Sequence, residues 1–276
     1  MVIKIILYAL LGFICVYVLV LAVKFQKGKA ILVKSFSEGN CLIFGPKGAG
    51  KDLLNNKVIN ARKQNCYANI PYNRDYCTTK SIKDFSVEPN TFEDILNGNI
   101  KIVKKINKED CDFYISDAGI VLPSQYSQSL IKEYPSLPIY YALSRQLTNS
   151  NIHCNTQYIG RVWDKIREQA EYFFRALHTT KLSIKIKRHG HIKEYGFLIT
   201  DFIFYDSYES AAAKMRPFNN KKLFAGKEGA AMKADFEAKH GIVKQYKIIQ
   251  RISHIYYDSR HFHTEFFGYK SPDSYN

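Results

Sequence analysis

Residues 40–58, NCLIFGPKGAGKDLLNNKV, join an apolar run to a glycine-rich turn and a helical segment. The run Cys41–Phe44 predicts a buried parallel strand, and residues 51–63 predict a helix. Between them Gly45, Gly50 and Lys51 occupy the fixed positions of the pattern G-x-x-x-x-G-K-[ST], whose glycines let backbone amides point at phosphate oxygens. The order of strand, loop and helix favours a nucleotide site over a structural Gly-Lys turn.

This loop predicts ATP and Mg²⁺ as cofactors, because its lysine reaches the β and γ phosphates and the hydroxyl residue after it binds the metal. Here that residue is Asp52. A carboxylate in the first turn suits the positive end of the helix but repels phosphate, and Mg²⁺ accepts its hard oxygens. The predicted nucleotide-binding residues are Gly45, Pro46, Lys47, Gly48, Ala49, Gly50, Lys51, Asp52 and Leu53.

A P-loop domain also needs an acidic residue at the end of a neighbouring buried strand. Residues 112–119, DFYISDAG, offer Asp117 directly after a predicted strand at 113–116. We expect Asp117 to act with Lys51 in catalysis, and to lie near the metal together with Asp52 and Ser116. A plain turn after the strand is the alternative interpretation of the same residues.

The composition favours polyanionic partners. The chain has 276 residues, of which 46% are apolar, and 40 Lys and Arg against 25 Asp and Glu give a formal charge of +15. Nucleic acid or an anionic membrane leaflet would attract that surplus, although AT-rich coding alone also raises the lysine content. The six cysteines form no CxxC pair and have no histidine at zinc-ligand spacing. They predict reduced thiols in a cytosolic domain and no structural zinc.

Residues 5–23, IILYALLGFICVYVLVLAV, hold no charge and predict a transmembrane helix. A secretory signal has a shorter apolar core and a cleavage site of small residues, whereas Lys24, Phe25 and Gln26 follow here. A buried core helix is the other alternative. Four lysines lie between residues 24 and 34 and only Lys4 precedes the span. The positive-inside rule therefore predicts a single-pass protein with its C-terminal bulk in the cytoplasm.

The rest of the chain predicts an α/β domain with a mainly parallel sheet flanked by helices, because strand-like and helical patterns alternate. Alternation with period two around RHGH predicts a β-hairpin at 181–187 and 195–204, whose basic residues offer either a DNA contact or a solvated edge. Further predicted strands cover 31–36, 66–70, 101–106 and 152–156, and predicted helices cover 125–133, 139–146, 158–176 and 227–240. We divide the chain into an anchor with its basic flank at 1–29, a P-loop ATPase domain at 30–206 and a basic aromatic extension at 207–276.

With these segments the chain resembles the zonular occludens toxin-like family, which contains the inner-membrane assembly ATPases of filamentous phages and is related to DNA-pumping P-loop ATPases. LIFGPKGAGKD is similar to the family's strand and phosphate loop, and YISDAGIVLP to its strand with an acidic end. CYANIPYN is similar to its second strand, and NIHCNTQYIGRVWDKIREQAEYFFRA to its strand ending in Thr-Gln before a helix. The order and spacing of these segments carry the resemblance.

The resemblance implies a nucleotide-driven motor for virion assembly or DNA export, working as a homo-oligomeric ring at a host inner membrane or a virion membrane. Its implied partners are viral DNA and phage coat proteins. A related motor that packages DNA into a capsid is one alternative, and a structural membrane scaffold with a degenerate P-loop is another. By the same resemblance Gln157 senses the γ-phosphate, and Arg161, Arg167 or Arg145 reaches a neighbouring subunit's nucleotide. A polar strand end and solvated helix faces are the plain alternatives.

The chain departs from the family at two positions near the expected metal. Ser116 and Asp117 stand where the family has Asp-Glu, and Asp52 stands where it has Ser or Thr. A hydroxyl and a carboxylate have exchanged places, which leads to the hypothesis that each faces the metal from the other's strand. The span also precedes the ATPase segment instead of following it, and residues 207–276 have no counterpart in the family.

Overall fold

The computed structural model describes residues 2–72, 74–79, 111–133, 137–188, 191–212, 231, 234–235 and 243–255. The strands are β1 (Cys41–Phe44), β2 (Cys66–Ala68), β3 (Cys77–Thr79), β4 (Asp112–Ile115), β5 (Ile152–Thr156), β6 (Tyr172–Arg188), β7 (His191–Tyr205) and β8 (Val243–Arg251). The helices are α1 (Val2–Glu38), α2 (Lys51–Arg62), α3 (Ala118–Val121), α4 (Ser127–Glu133), α5 (Leu137–Thr148), α6 (Asp164–Arg167) and α7 (Tyr208–Ala212). Single 3₁₀ turns occupy Ser124–Tyr126, Ile159–Arg161 and Ile252–His254.

The strands form one sheet in the order β3-β2-β4-β5-β1-β6-β7-β8. Neighbouring strands run parallel from β3 to β6, and β7 and β8 continue the sheet in antiparallel fashion. The predicted α/β class is confirmed as a mixed sheet with helices. Because β1 lies between β5 and β6, the loop after Phe44 leaves from the middle of the carboxyl edge of the parallel strands, where ligands bind in open α/β sheets.

Each face of the sheet carries its own apolar core. Leu42 of β1 packs on one face in a cluster that includes Trp163. Ile43 packs on the other face, which α1 and α2 cover through Phe36 and Leu54. Burial on both faces explains the uninterrupted apolar run of β1, the pattern expected of a central parallel strand.

Helix α1 has two halves with different surroundings. Its apolar N-terminal part is unburied, and by length and composition the helix could cross a membrane. Its C-terminal part packs on the domain, where Leu32 and Phe36 are both fully buried. The predicted strand at 31–36 is therefore wrong. The two buried residues lie four apart on one helix face, and a helix that is already nucleated extends readily.

The predicted helix at 158–176 is also wrong. The segment contains two short turns, Ile159–Arg161 and α6, before β6 begins at Tyr172. Phe173 packs into one core and Phe174 into the other. Consecutive aromatic residues thus serve the two faces of a strand, whereas a helix would have placed them about 100° apart around a single axis.

The hairpin of β6 and β7 is confirmed and is longer than predicted, with pairing from Phe173 opposite Tyr205 to Arg188 opposite His191. Strand β8, which the sequence did not predict, pairs with β7 at the edge of the sheet. It comes from the segment assigned to the C-terminal extension, and the division into three domains stays a prediction. The predictions at 101–106, over most of 227–240 and in the tail beyond 255 lie outside the described residues.

Candidate nucleotide-binding site

The loop between β1 and α2 turns through three glycines with positive φ: Gly45, Gly48 and Gly50. Gly50, with φ of 94°, leaves no room for a side chain, because a Cβ would lie 2.2 Å from Thr179 Oγ1. The same hydroxyl donates to Ala49 O at 3.0 Å, so a hydrogen bond from β6 fixes the backbone of the loop. Helix α2 begins directly after the loop, and its unpaired N–H groups and positive end lie beside it.

Lys51 is the loop residue whose side chain turns back into the loop. It is only 7% exposed, and Nζ donates to the carbonyls of Gly45 and Pro46 at 3.2 Å each. Burial lowers the pKa of Lys51, while the charges of Asp52 and Asp117 oppose that shift. The ammonium group therefore lies where a phosphate held by the loop amides would meet it.

The remaining loop residues of the prediction divide by exposure. Pro46, Lys47 and Gly48 form the exposed tip, whereas Ala49 and Leu53 are buried in the core. Only the tip and the inner wall of the loop are thus available to a ligand, and Leu53 acts by fixing α2 on the sheet.

Asp52 meets Ser116 and Asn155 across the carboxyl ends of β4 and β5. Its Oδ1 accepts hydrogen bonds from Asn155 Nδ2 at 2.6 Å and from Ser116 Oγ at 3.2 Å. Among the described residues, no hydrogen bond ends on Oδ2. Burial raises the pKa of Asp52 and the charge of Asp117 adds to it, against the smaller opposing effects of Asn155, Lys51 and Ser116. The structure brings together the hydroxyl and the carboxylate that the exchange hypothesis pairs.

Asn155 connects the two acidic segments. Its Nδ2 also lies 3.3 Å from Ser116 Oγ, and its Oδ1 accepts the backbone N–H of Asp117 at 2.8 Å. Asp117 has φ of 50°, a left-handed conformation that aspartate tolerates, and it directly precedes the first residue of α3. Its charge acts on both Lys51 and Asp52, so it belongs to the same electrostatic group.

Asn69 fixes the other side of Ser116. The backbone N–H of Ser116 donates to Asn69 Oδ1 at 2.7 Å, and Asn69 Nδ2 donates to Ser116 O at 2.9 Å. Asn69 and Asn155 are functional candidates that the sequence motifs did not predict. The pattern that identifies them is an amide side chain at the carboxyl end of a buried strand, where a polar group needs a partner.

The predicted γ-phosphate sensor and the arginines lie on different elements of the fold. Gln157 directly follows β5, the strand that pairs with β1, and is half-buried at the same edge. Arg161 is exposed on the next turn, with its guanidinium 4.8 Å from the centre of the Tyr158 ring. Arg167 lies on α6, with its guanidinium 5.4 Å from the Tyr208 ring. Tyr208 follows the end of β7, which pairs with the start of β6, so Arg167 lies towards the amino edge, and Gln157 and Arg161 are the better placed of these residues.

Arg145 lies at the opposite edge of the sheet. Its guanidinium is 3.6 Å from the carboxylate of Glu171, which precedes the start of β6. Because β6 begins level with Cys41, this is the amino edge of the parallel strands, away from the phosphate loop. A role for Arg145 at the nucleotide would therefore require the site of a neighbouring subunit.

The oxygens around Asp52 fit a hard divalent cation. Asp52, Ser116 and Asp117 supply carboxylate and hydroxyl oxygens, which are the ligands that Mg²⁺ takes. Burial raises the pKa of Asp52 more than the charge of Lys51 lowers it, so a cation beside this carboxylate would stabilise its charged form. No group of three or more His, Cys, Asp or Glu that could hold a metal occurs in the described part of the chain, so phosphate oxygens would have to complete the coordination.

Comparison with solved structures finds similarity to a toxin domain and to viral packaging enzymes. The N-terminal domain of zonular occludens toxin from Neisseria meningitidis is 15% identical, over 59% of this chain and 82% of that one, with a TM-score of 0.36. The genome packaging NTPase B204 from Sulfolobus turreted icosahedral virus 2, in complex with ATP-gammaS, is 13% identical over 62% and 92%, with a TM-score of 0.35. No protein-family model and no curated protein matches the chain.

Both groups that the sequence motifs resemble are thus present among the structural neighbours, and the resemblance is confirmed to that extent. At these TM-scores the similarity carries no argument about what this chain binds. The chemistry of the site depends on the residues described above.

Proposed function

We propose that this chain is a membrane-anchored P-loop ATPase that drives viral DNA translocation or virion assembly and export. The observation that carries the proposal is the meeting of Lys51, Asp52 and the segment Ser116–Asp117 at one edge of the sheet. A glycine-rich loop between a buried strand and a helix binds phosphate through its amides and the helix end. An acidic residue beside such a loop is what hydrolysis of ATP requires.

In the bound state the loop amides and the ammonium group of Lys51 hold the β and γ phosphates of ATP. Asp52, Ser116 and Asp117 are the residues that would hold Mg²⁺ against those phosphates. When bound, Mg²⁺ neutralises phosphate charge that the loop alone leaves uncompensated. Asn155 keeps the Asp52 carboxylate and the Ser116 hydroxyl aimed at one point.

The catalytic roles follow from position and chemistry. Asp117 accepts a hydrogen bond from the attacking water and orients it, and the amide of Gln157 contacts the γ-phosphate. Arg161, or Arg167, neutralises the charge that develops on the transferred group in the neighbouring subunit's site. Such a trans arginine implies a homo-oligomeric ring.

The anchor in this proposal is the apolar N-terminal half of α1, which is unburied and long enough to cross a bilayer. Lysines between residues 24 and 34 flank its C-terminal side, which favours a cytoplasmic ATPase domain. The protein would then reside in a host inner membrane or a virion membrane, with its net positive charge suited to DNA as the translocated polymer.

A packaging motor that pumps DNA into a capsid is the runner-up, since it uses the same site with a capsid protein in place of coat proteins. The genes beside this one separate the two functions. A structural scaffold with a degenerate P-loop is a candidate of another class, favoured by the presence of Asp52 in place of the usual hydroxyl residue.

ATP hydrolysis by the full-length chain in detergent or nanodiscs tests the proposal. Replacing Lys51 with Ala should lower turnover by on the order of 10²-fold, because the phosphates lose their main cation. The matched control is Lys63→Ala, which removes an exposed lysine that follows the last residue of the same helix and should leave turnover unchanged. Turnover that does not depend on Lys51 in any oligomeric state would contradict the motor and favour the scaffold.

A further inference from the structure

The hairpin of β6 and β7 extends far beyond the rest of the sheet. Strand β1 accompanies β6 only as far as Arg175, and β8 ends at Arg251, opposite Phe197 of β7. Beyond Leu182, which pairs with Phe197, the described chain offers β6 and β7 no sheet neighbour except each other. Leu182 to Arg188 spans about 20 Å of strand, so a two-stranded ribbon projects from the domain.

Along β6, this ribbon carries a row of apolar side chains on one face and a row of lysines on the other. Leu182, Ile184 and Ile186 alternate along β6 and are 43%, 43% and 50% exposed. The intervening residues of the same strand include Lys181, Lys185 and Lys187, all exposed, and of these Lys185 lies 3.9 Å from the carboxylate of Glu194 on β7. Single exposed apolar residues are ordinary on protein surfaces, whereas three in register on one face form a contiguous patch that indicates a contact.

The direction in which the ribbon projects follows from the packing of α1. Phe36, near the end of α1, packs on Phe174 of β6 with ring centres 5.7 Å apart. Gly28, two turns earlier, lies against the backbone of Lys247, which is level with His178 through the register of β8, β7 and β6. Moving back along α1 towards its N-terminus is therefore equivalent to moving along β6 towards the hairpin tip.

The apolar half of α1 and the apolar face of the ribbon thus leave the domain on the same side. Going from Gly28 towards the N-terminus, α1 covers about 8 Å before it reaches Val23, the last residue of the uncharged segment. From His178 to Leu182, β6 covers about 13 Å. The apolar face of the hairpin therefore begins about 5 Å beyond the level at which the segment assigned to the membrane begins.

We propose that the hairpin tip is a second membrane contact, in which Leu182, Ile184 and Ile186 enter the interface of an anionic bilayer and the lysines of the other face bind lipid phosphates. This inference rests on the proposed anchoring of α1. Apolar side chains gain from entering the interface, and each lysine near an anionic surface adds to binding. A DNA contact would use the lysines and leave the apolar face in water.

Two contacts also fix the orientation of the domain. A single helix allows the domain to rotate about the helix axis, whereas a helix and a hairpin together define a plane. The carboxyl edge of the sheet, with the phosphate loop, would then face the bilayer.

Depth-dependent fluorescence quenching on the full-length chain tests the hairpin contact. The chain is reconstituted into vesicles of phosphatidylcholine and phosphatidylglycerol that carry brominated lipids, and one cysteine is labelled with an environment-sensitive dye. In a Cys15→Ser background, a label at Ile184→Cys should be quenched at least about threefold more than a label at Lys63→Cys, an exposed position just after α2, near the amino edge. The parent without an added cysteine gives the background labelling.

Cys15 separates this inference from the anchor itself, because it is a native, exposed cysteine within the apolar half of α1. Quenching of a Cys15 label in the wild-type chain reports insertion of α1. Quenching at Cys15 with none at Ile184→Cys would overturn the hairpin contact and leave the anchor intact. A loss of ATPase activity alters neither label, so a failure of the proposed enzymatic function is also distinguishable.

A second variant tests whether the apolar face makes the contact. With the label at Lys187→Cys, replacing Leu182, Ile184 and Ile186 by Ser should lower quenching at least about twofold. Because all three side chains are exposed, the fold should survive the change. Unchanged quenching would contradict the proposal, and so would a label at Ile184→Cys that responds to a DNA oligonucleotide but not to lipid.

Discussion

Asp52, which is half-buried, and Asp112, which is buried, are carboxylates beside the same sheet, and the chain surrounds them differently. Asp112 begins β4 at the amino edge, where it forms an ion pair with Arg62 and lies 3.6 Å from His153 Nε2. It also accepts the backbone N–H of Asn151 at 3.0 Å. Asp52 lies at the carboxyl edge, and its hydrogen-bond donors are an uncharged amide and a hydroxyl.

The two environments move the pKa in opposite directions. Burial acts to raise the pKa of Asp112, but His153, Arg62 and Asn151 together outweigh it and the pKa is lowered. Burial raises the pKa of Asp52, and its partners do not reverse the shift. At the amino edge Asp112 has a charged partner in Arg62, whereas beside the phosphate loop both hydrogen-bond donors of Asp52 are uncharged. A carboxylate in the environment of Asp52 is suited to binding a cation, such as Mg²⁺, that enters the site together with a nucleotide.

Helix α2 connects the two regions. Asp52 is in its first turn, and Arg62 is its last residue. Arg62 also donates to Phe36 O at 2.9 Å, and Asn151 Nδ2 donates to the same carbonyl at 3.3 Å. The amino-edge cluster therefore satisfies a terminal carbonyl of α1 that the helix leaves unpaired, and attaches α1 to α2.

The largest expected effect comes from making one substitution at both sites. Asp112→Asn leaves Arg62 buried without its anion and should destabilise the protein by about 3–5 kcal/mol. Asp52→Asn keeps both hydrogen bonds and removes a charge that burial disfavours, so the ligand-free protein should gain up to about 2 kcal/mol. Chemical unfolding of the full chain in detergent at neutral pH measures both. If both substitutions changed the free energy of unfolding in the same direction, the proposed difference between the two sites would be contradicted.

The pH dependence of the stability of the same variants provides a finer test of the difference between Asp52 and Asp112. A lowered pKa means that Asp112 stabilises the protein above its unfolded value of about 3.9, and that this stability is lost as the pH falls through the folded value. Burial lowers the pKa of His153, so stability is also lost as the pH falls below about 6.5, where unfolded histidine takes a proton. Asp52, with a raised pKa, gains stability as the pH falls. Asp52→Asn should therefore steepen the net loss towards acid, and Asp112→Asn should make it shallower.

The next effect concerns the exchanged groups at the metal side. Asp52→Thr alone should lower Mg²⁺-dependent ATP turnover by on the order of 10²-fold, because the only carboxylate on α2 near the phosphates is lost. Adding Ser116→Asp should restore part of that activity by returning both groups to the arrangement of the resembled family. Steady-state turnover of the two single variants and the double variant measures the coupling. If the losses of turnover in the two single variants simply added in the double variant, the hypothesis that Asp52 and Ser116 have exchanged places would be falsified.

Much of this site could be predicted because its parts follow local rules. The loop occupies a fixed pattern between an apolar strand and a helix, and the carboxyl ends of parallel strands share one edge. That is why Asp52 and Ser116, 64 positions apart, could be expected to meet. The hairpin was predictable for a similar reason, since alternation with period two flanks a turn.

The errors arose where one local pattern serves two structures. Phe173 and Phe174 suit a helix by composition, and their pairing with β1 on one side and β7 on the other makes them a strand. Leu32 and Phe36 stand in a run rich in β-branched and aromatic residues, yet α1 continues through them. Asn155 was missed because its partner Asp52 lies 103 positions away, and an amide at the end of a strand does not by itself show which carboxylate it contacts.

The smallest expected effect concerns Asn155, which positions the site without being one of its proposed cation ligands. Asn155→Ala removes the donors to Asp52 and Ser116 and leaves the N–H of Asp117 without its acceptor, so turnover should fall about tenfold. The hydrogen bond from Asn155 lowers the pKa of Asp52, and its loss should therefore move the acid limb of the pH–rate profile to higher pH.

Asn69→Ala is the matched control for this prediction, because Asn69 holds the backbone of Ser116 and makes no hydrogen bond to Asp52. It should lower turnover without moving the acid limb. A shift of equal size in both variants would mean that Asn155 acts only through the general stability of the strand ends. A shift confined to Asn155→Ala would assign the acid limb to Asp52, the carboxylate that the chain leaves unbalanced.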